Sequence, residues 1–481
     1  MDRTLEELAG FRSDPTADAV HDLRVALRRC RSVASAIEEI DPHPDWEEMR
    51  ACAKKLFRSL GELRDAQVLA EWLKEIHPSD EPVKQALLEK LSATEKSAHE
   101  KASRQAERFD AKRWRILQKS LRTRIRCVPT DSDAANCLAF ERLEEAKELH
   151  RRALRTEASV PWHTLRIGVK RFRYTVESLL PAAHEAWAES LKRVQDTLGD
   201  IHDLDVLADS IKQLQADRSF LPGYDWQTHI AARREENLQT YRQLSLGTVS
   251  VWQTWLSGFP RENRRRYSDA RIVATRKALD PKPARSLAVA RLAKRIWSQL
   301  RSAQAGDQFS GASARRILEA AARLSGIRPR EGRKERAKNA RNFLLDSPLP
   351  PAWSFAEWER AAWVIRFQRG PEPGPENKRF SNLSAEQQAD INVLAGVLRL
   401  AITLQKLGAS SGKDLRIENL SQRLLLHVSG VEDTPENAAA FSETKRVLER
   451  SLGRTILVQA EPGVSAIAAA AEPPQPISIV R

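Results

Sequence analysis

Cysteine and methionine are scarce in this chain, with four Cys and two Met in 481 residues. Cys30, Cys52, Cys127 and Cys137 form no C-x-x-C pair, which leaves out the common zinc and dithiol redox motifs. Cys30 and Cys52 fall at apolar helical positions and are expected to be small buried side chains. No apolar run approaches the ~18 residues that a membrane span needs. Met1 to Gly10 contains acids and lacks the apolar core of a secretory signal, so the expected compartment is a reducing cytoplasm. A Gly-rich phosphate loop is also missing.

What is present is a long, basic, well-patterned chain. Its length suits two or three domains, and 41% hydrophobic with 30% charged residues suits buried cores in a soluble protein. Lys and Arg number 79 against 65 Asp and Glu, a formal net charge of +14. Such an excess favours nucleic acid, anionic lipid or another polyanion as partner without choosing among them.

Apolar residues recur at three- and four-residue steps almost throughout, which predicts a mainly α fold. Pro15 and Pro161 read as first-turn prolines opening helices. Residues 256–284 are basic and rich in turn formers, with Arg264, Arg265 and Arg266 in succession and Pro281 and Pro283 near the end; they read as a linker. A second helical region follows over 285–460, with strands expected only at Arg423 to Val428 and Thr455 to Gln459. The Ala- and Pro-rich stretch 461–481 reads as a disordered tail.

The first region carries an internal repeat. HDLRVALRRCR at 21–31 returns as HTLRIGVKRFR at 163–173, and LGELRDAQVL at 60–69 returns as LGDIHDLDVL at 198–207. Two motifs in the same order at nearly the same separation predict a duplicated helical unit over 1–255, with halves of about 5–110 and 140–250 and three or four helices in each.

On a helical wheel of about 100° per residue, Arg24, Arg28 and Arg31 fall at roughly 280–340° from His21, whereas Leu23, Leu27, Cys30, Ala34 and Ile37 fall at roughly 160–240°. The second copy repeats the division, with His163, Arg166, Lys170 and Arg173 beside Leu165, Val169, Phe172, Val176 and Leu179. Each basic stripe therefore borders a buried face. Like charges at these spacings repel, and a structural helix would interleave acids; an anion would remove the repulsion. Arginine suits phosphate through its planar two-pronged donor, and histidine binds an anion better when protonated. Gly61 and Gly199 interrupt helical patterns and suggest a turn or a close helix contact. Asp65, Asp203 and Asp205 read as helix caps or partners of Arg64 and neighbouring bases, with metal ligation as the alternative. Lys54, Arg58 and Lys192 precede the glycines and could extend the basic lining, although Asp196 stands where Arg58 stands in the first copy.

VHDLRVALRRCRS, LGELRDAQVL, LHRRALRT, HTLRIGVKRFRY and LGDIHDLDVLADSI resemble the CHAD family, the conserved histidine α-helical domain, over about residues 5–250. The resemblance implies a pseudosymmetric helical bundle with a basic groove that binds inorganic polyphosphate without catalysis. Carried over by motif, the binding residues are His21, Arg24, Arg28, Arg31, His163, Arg166, Lys170 and Arg173, joined by Lys54, Arg58 and Lys192. No cofactor is implied, and targeting to polyphosphate granules is a further expectation.

Residues 285–460 contain ILEAAARLSGI, NFLLDSPLP, AAWVIRFQRG, INVLAGVLRLAITLQKL and FSETKRVLERSLGRTILVQ, which resemble the helical HD-type C-terminal domain of the exopolyphosphatase and guanosine pentaphosphate phosphatase family. An HD site needs His and Asp ligands for metal. Here those positions read Ser325-Gly326, Lys338-Asn339-Ala340, Gln368, Ile402 and Gln405, so the region is expected to be a degenerate, non-catalytic domain serving docking, oligomerisation or anion binding. Arg366, Arg369, Lys378, Arg379 and Arg399 could hold phosphate there or form a solvated surface. Two other readings stand beside polyphosphate binding. One is a general polyanion or nucleic-acid binder, for which KRWRILQKSLR at 112–122 mixes bases with Trp114. The other is a metal-dependent phosphohydrolase.

Overall fold

The three- and four-residue apolar spacings become a chain of α-helices in a computed structural model that describes residues 1–76, 82–217, 224–306, 312–329, 335–370, 372–374, 377–409 and 415–461. The chain divides into two units, Met1–Arg271 with Pro350–Ala352, and Ile272–Leu349 with Trp353–Arg481.

The first unit begins with α1 (Asp2–Ser13), α2 (Ala17–Ile37), α3 (Pro44–Ile76), α4 (Pro82–Glu107) and α5 (Ala111–Arg124). It continues with α6 (Asp133–Ala153), α7 (Ser159–Leu179), α8 (Pro181–Asp217), α9 (Trp226–Ser245) and α10 (Val251–Ser257), and the division falls inside α11 (Arg264–Leu279). α1 packs on α2, α2 on α3 and α3 on α4; in the same order α6 packs on α7, α7 on α8 and α8 on α9. The two histidine-motif helices, α2 and α7, pack on each other.

Local chemistry explains the two motif helices. Thr16 caps α2 by accepting from the Ala19 N–H at 3.2 Å. Pro15 therefore lies ahead of the cap and not in the first turn, whereas Pro161 does sit in the first turn of α7. The wheel places the core correctly: Leu23, Leu27, Ala34 and Ile37 are fully buried, as are Leu165, Val169, Phe172 and Val176. Burying one such Leu, Ile, Val or Phe side chain contributes about 1.5–3 kcal/mol, which outweighs the few tenths that each pair of like charges along the stripe costs. A Cβ at Gly168 would stand 2.6 Å from Leu149 Cδ1 on α6, so a larger residue there would require the Leu149 side chain to shift. Cys30 and Cys52 are half-buried, short of the full burial expected.

Two further expectations need correction. Neither Gly61 nor Gly199 makes a turn, since α3 and α8 run through them. The stretch 256–284 is not a turn-rich linker; α10, a short 3-10 turn at Arg261–Asn263 and α11 fill most of it. Three of its basic residues have partners on α6. Arg264 covers the Phe140 ring at 4.5 Å, Arg266 pairs with Asp133 at 3.0 Å, and buried Arg271 pairs with buried Glu141.

The second unit holds α12 (Pro283–Ser302), α13 (Ala312–Arg323), α14 (Arg336–Asp346), α15 (Phe355–Arg366), α16 (Lys378–Ser381), α17 (Ala385–Lys406) and α18 (Pro435–Leu452). α17 is buried almost all round from Ile391 to Leu404 and forms the centre of a core with α12, α13, α15 and α18. The expected strands are present as β2 (Arg423–Ser429) and β3 (Thr455–Glu461), paired in parallel from Arg423↔Thr455 and connected through α18. A third strand, β1 (Arg416–Leu420), pairs antiparallel with β2, so one or two strands was an undercount. Of the expected tail, Glu461 ends β3 and 462–481 lie outside the described residues. No helix among the described residues is long and apolar enough to cross a membrane.

Candidate anion-binding site

Packing α2 on α7 turns their basic stripes toward each other. The Arg28 guanidinium of α2 covers the Tyr174 ring of α7 at 4.7 Å. Arg24 and Arg31 lie over the Phe57 ring of α3 at 5.8 and 4.8 Å, and Arg24 also rests on Gly61. The electrostatics tie the remaining members to this group. Burial, followed by Arg166, Arg28 and Arg24, pushes the Lys170 ammonium down to about 7. Burial also lowers Arg28, with Arg24 and Arg173 adding to the effect, and lowers Arg166, with Arg24 adding. Arg31 is lowered by burial and then by Arg50.

These cations are poorly satisfied. The Nε atoms of Arg24, Arg28, Arg166 and Arg173 are buried without a hydrogen-bond partner in the described protein. Among the described residues, the carboxylate paired with a member of the group is Asp65, and its Oδ1 is 3.9 Å from Arg24 Nη2, at the outer limit of an ion pair. Asp203 faces Arg166 and Lys170, and burial raises its own pKa against their pull.

The structure brings Arg24, Arg28, Arg166, Lys170 and Arg173 to the junction of α2 and α7, with His163 at one edge, whereas Arg31 faces Phe57 and Arg50 of α3. Burial and the neighbouring Arg166 and Lys170 lower the His163 pKa, which disfavours the imidazolium that would favour an anion. Its Nδ1 lies 3.1 Å from His202 Nδ1, where one ring donates and the other accepts. Burial and Arg166 push His202 down to about 4. His21, in contrast, is exposed just after the first turn of α2.

The weaker assignments part company with the group. Lys54 and Arg58 are exposed and line a cavity of about 400 Å³ whose walls come from α3 and α4, including Glu62 and Lys101. Lys192 is exposed on α8. The aspartates lie within long helices and cap nothing. Asp65 pairs with Arg24 while Arg64 pairs with Glu71, and Asp205 binds Arg234 at 2.7 Å. Phe57, Tyr174 and His202 also belong to the site, although no sequence motif singles them out for it. His202 was within reach, because it occupies in the second LG motif the place that Arg64 occupies in the first. Trp114 is fully buried and donates its Nε1–H to Met1 O, so the 112–122 segment offers no stacking face there.

In the second unit, Ser325, Gly326, Lys338, Gln368 and Ile402 line a single cavity of about 570 Å³, together with Arg366 and Arg369. Arg399 is buried and donates to the carbonyls of Phe367 and Gly370, both at 2.7 Å, which fits neither of its two expected roles, phosphate ligand or solvated surface. Lys378 and Arg379 belong to the short helix α16 and are not among that cavity's walls.

The first unit is thus a helical bundle with a convergent group of partly buried cations where its two motif helices meet. Residues 1–212 match the family model of the CHAD domain, a span that contains both copies of the histidine motif and both LG motifs. The chain therefore carries a CHAD domain; the match ends before α9, short of the 5–250 expected, although α9 packs on α8. No curated protein matches the chain.

Proposed function

We propose that this chain binds inorganic polyphosphate, without transforming it, in a basic groove between α2 and α7 of a pseudosymmetric, duplicated bundle. The observation that carries the reading is the set of four buried, unpartnered arginine Nε–H groups, those of Arg24, Arg28, Arg166 and Arg173, the first three of which also act on Lys170. A buried donor left unsatisfied costs about 1–3 kcal/mol, so a cluster that serves stability alone would have been paired or replaced. Phosphate oxygens spaced along a chain would satisfy these donors and cancel the repulsion among the cations. The CHAD match over 1–212 supports the same ligand class. A ligand made of phosphates without bases fits best, because the nearby rings of Phe57 and Tyr174 are covered by arginines. Such binding would take the protein to polyphosphate granules. The HD-type likeness of 285–460 belongs to this reading, supported by the convergence of its key positions on one cavity.

The test is a competition titration at several salt concentrations, with long-chain polyphosphate bound and RNA or DNA of equal phosphate count as competitor. The nucleic acids are expected to compete at least about tenfold more weakly. Equal competition makes the protein a general polyanion binder, and phosphate release with added manganese or magnesium makes it an enzyme.

A further inference from the structure

The cavity of the second unit has a charge pattern of its own. It is built from the α11–α12 junction, the turn after α13, the start of α14 and the end of α15. Its walls carry Lys282, Arg285, Arg328, Arg336, Arg366 and Arg369. Arg369 is lowered first by burial and then by Arg285, Arg336 and Arg328, so these three cations lie close enough to act on it. The two acids on the wall are already engaged. Asp280 is buried and accepts from the Ser286 hydroxyl and from the Lys282 N–H. Glu335 pairs with Lys338 at 2.9 Å.

Three other features face the same space. The first turn of α14, Arg336 to Lys338, lines the cavity, and no side chain caps it. A helix start of this kind presents N–H groups and a partial positive charge. Gln368 is more than nine-tenths buried on the wall, and its Oε1 has no partner in the described protein. Arg399 pins the Phe367–Gly370 turn through both end carbonyls, which fixes Gln368 and Arg369 in place. Gly326 is required as well: a Cβ there would stand 2.5 Å from Asp280 Oδ2.

We propose that this cavity is a second anion site, separate from the α2–α7 groove, and that it takes a compact oligophosphate, free or as the phosphate tail of a nucleotide. Its volume of about 570 Å³ lies within the roughly 300–1,000 Å³ of small-molecule sites and has room for several linked phosphoryl groups. The arginines supply paired donors, the α14 start supplies backbone donors, and the Gln368 amide can donate or accept. The inference does not rest on the function proposed for the first unit.

The experiment uses the full chain carrying Arg28→Gln and Lys170→Gln, which disables the first groove. Calorimetric titration with sodium tripolyphosphate, ATP and orthophosphate, without magnesium, should show one site per chain for the first two and at least tenfold weaker binding of orthophosphate. Tighter binding of ATP assigns a nucleotide; equal or tighter binding of tripolyphosphate assigns a free oligophosphate. Adding Arg328→Gln and Arg369→Gln should weaken binding at least tenfold. Because those changes could disturb folding, Ala337→Asp is the second variant. It sets a carboxylate at the α14 start, where the helix favours one, and should abolish binding without lowering the melting temperature. No tripolyphosphate or ATP binding in the first variant, or unchanged affinity in folded Ala337→Asp, overturns the proposal.

Discussion

Arg28 of α2 lies 4.7 Å above the ring of Tyr174 of α7, across the junction of the two motif helices. Arg173, the residue before Tyr174, is one of the groups that lower the Arg28 pKa. The contact thus brings together cations that repel each other, and this cost makes the site testable by stability as well as by binding.

Lys170 gives a pH signature. Its pKa in the free protein is about 7, below the usual lysine value, with burial and Arg166, Arg28 and Arg24 responsible and Asp203 opposing them. A bound polyanion raises it, so above pH 7 binding takes up a proton. The affinity for long-chain polyphosphate should fall by as much as about tenfold per pH unit above pH 7. Below pH 7 this group adds no dependence. Lys170→Arg should bind without that slope, and an unchanged slope in the variant would remove Lys170 from the site. Without ligand the sign is the opposite. Native Lys170 loses its proton near pH 7 while the unfolded chain keeps its own to about 10.4, so this group makes stability rise with pH across that interval.

Asp203 competes with the ligand for Arg166 and Lys170. Asp203→Asn should tighten polyphosphate binding about fivefold at low salt, close to 1 kcal/mol, and push the Lys170 pKa lower still. Calorimetry and NMR titration of the lysine read the two effects. Weaker binding would mean that Asp203 orders the cations instead of competing for them.

The pair of Arg271 on α11 and Glu141 on α6 is buried on both sides. Burial raises Glu141 to about 7 even with the arginine present. Arg271→Met leaves that carboxyl unpaired and should cost about 3–5 kcal/mol of unfolding free energy, measured by urea denaturation at pH 8. A loss below about 1 kcal/mol would mean that α11 contributes little to the first unit.

The parts of this architecture that the sequence reveals are those governed by periodicity within one helix. Leu23, Leu27, Leu165 and Phe172 are buried where the wheel puts them, and Arg24, Arg28, Arg166 and Lys170 border them. What one helix cannot reveal is its neighbour. Lys54 and Arg58 have suitable chemistry, yet the packing of α3 on α4 gives them a different cavity. His202 joins His163 only because α8 packs on α7. Arg264, Arg266 and Arg271 look like part of a basic linker until α6 supplies Phe140, Asp133 and Glu141. β1 stayed hidden because RIENL is an exposed edge strand with little apolar alternation.

The most direct test sets binding against stability in one variant. Arg28→Gln with Lys170→Gln removes two of the crowded cations. Titration with long-chain polyphosphate should show a loss of about a hundredfold or more, given 1.5–3 kcal/mol for each hydrogen bond to a charged group. Without ligand, the variant should melt about 2–4 °C higher, the equivalent of ~1 kcal/mol in a unit of this size. Undiminished affinity, or lost affinity with a lower melting temperature, would contradict the account.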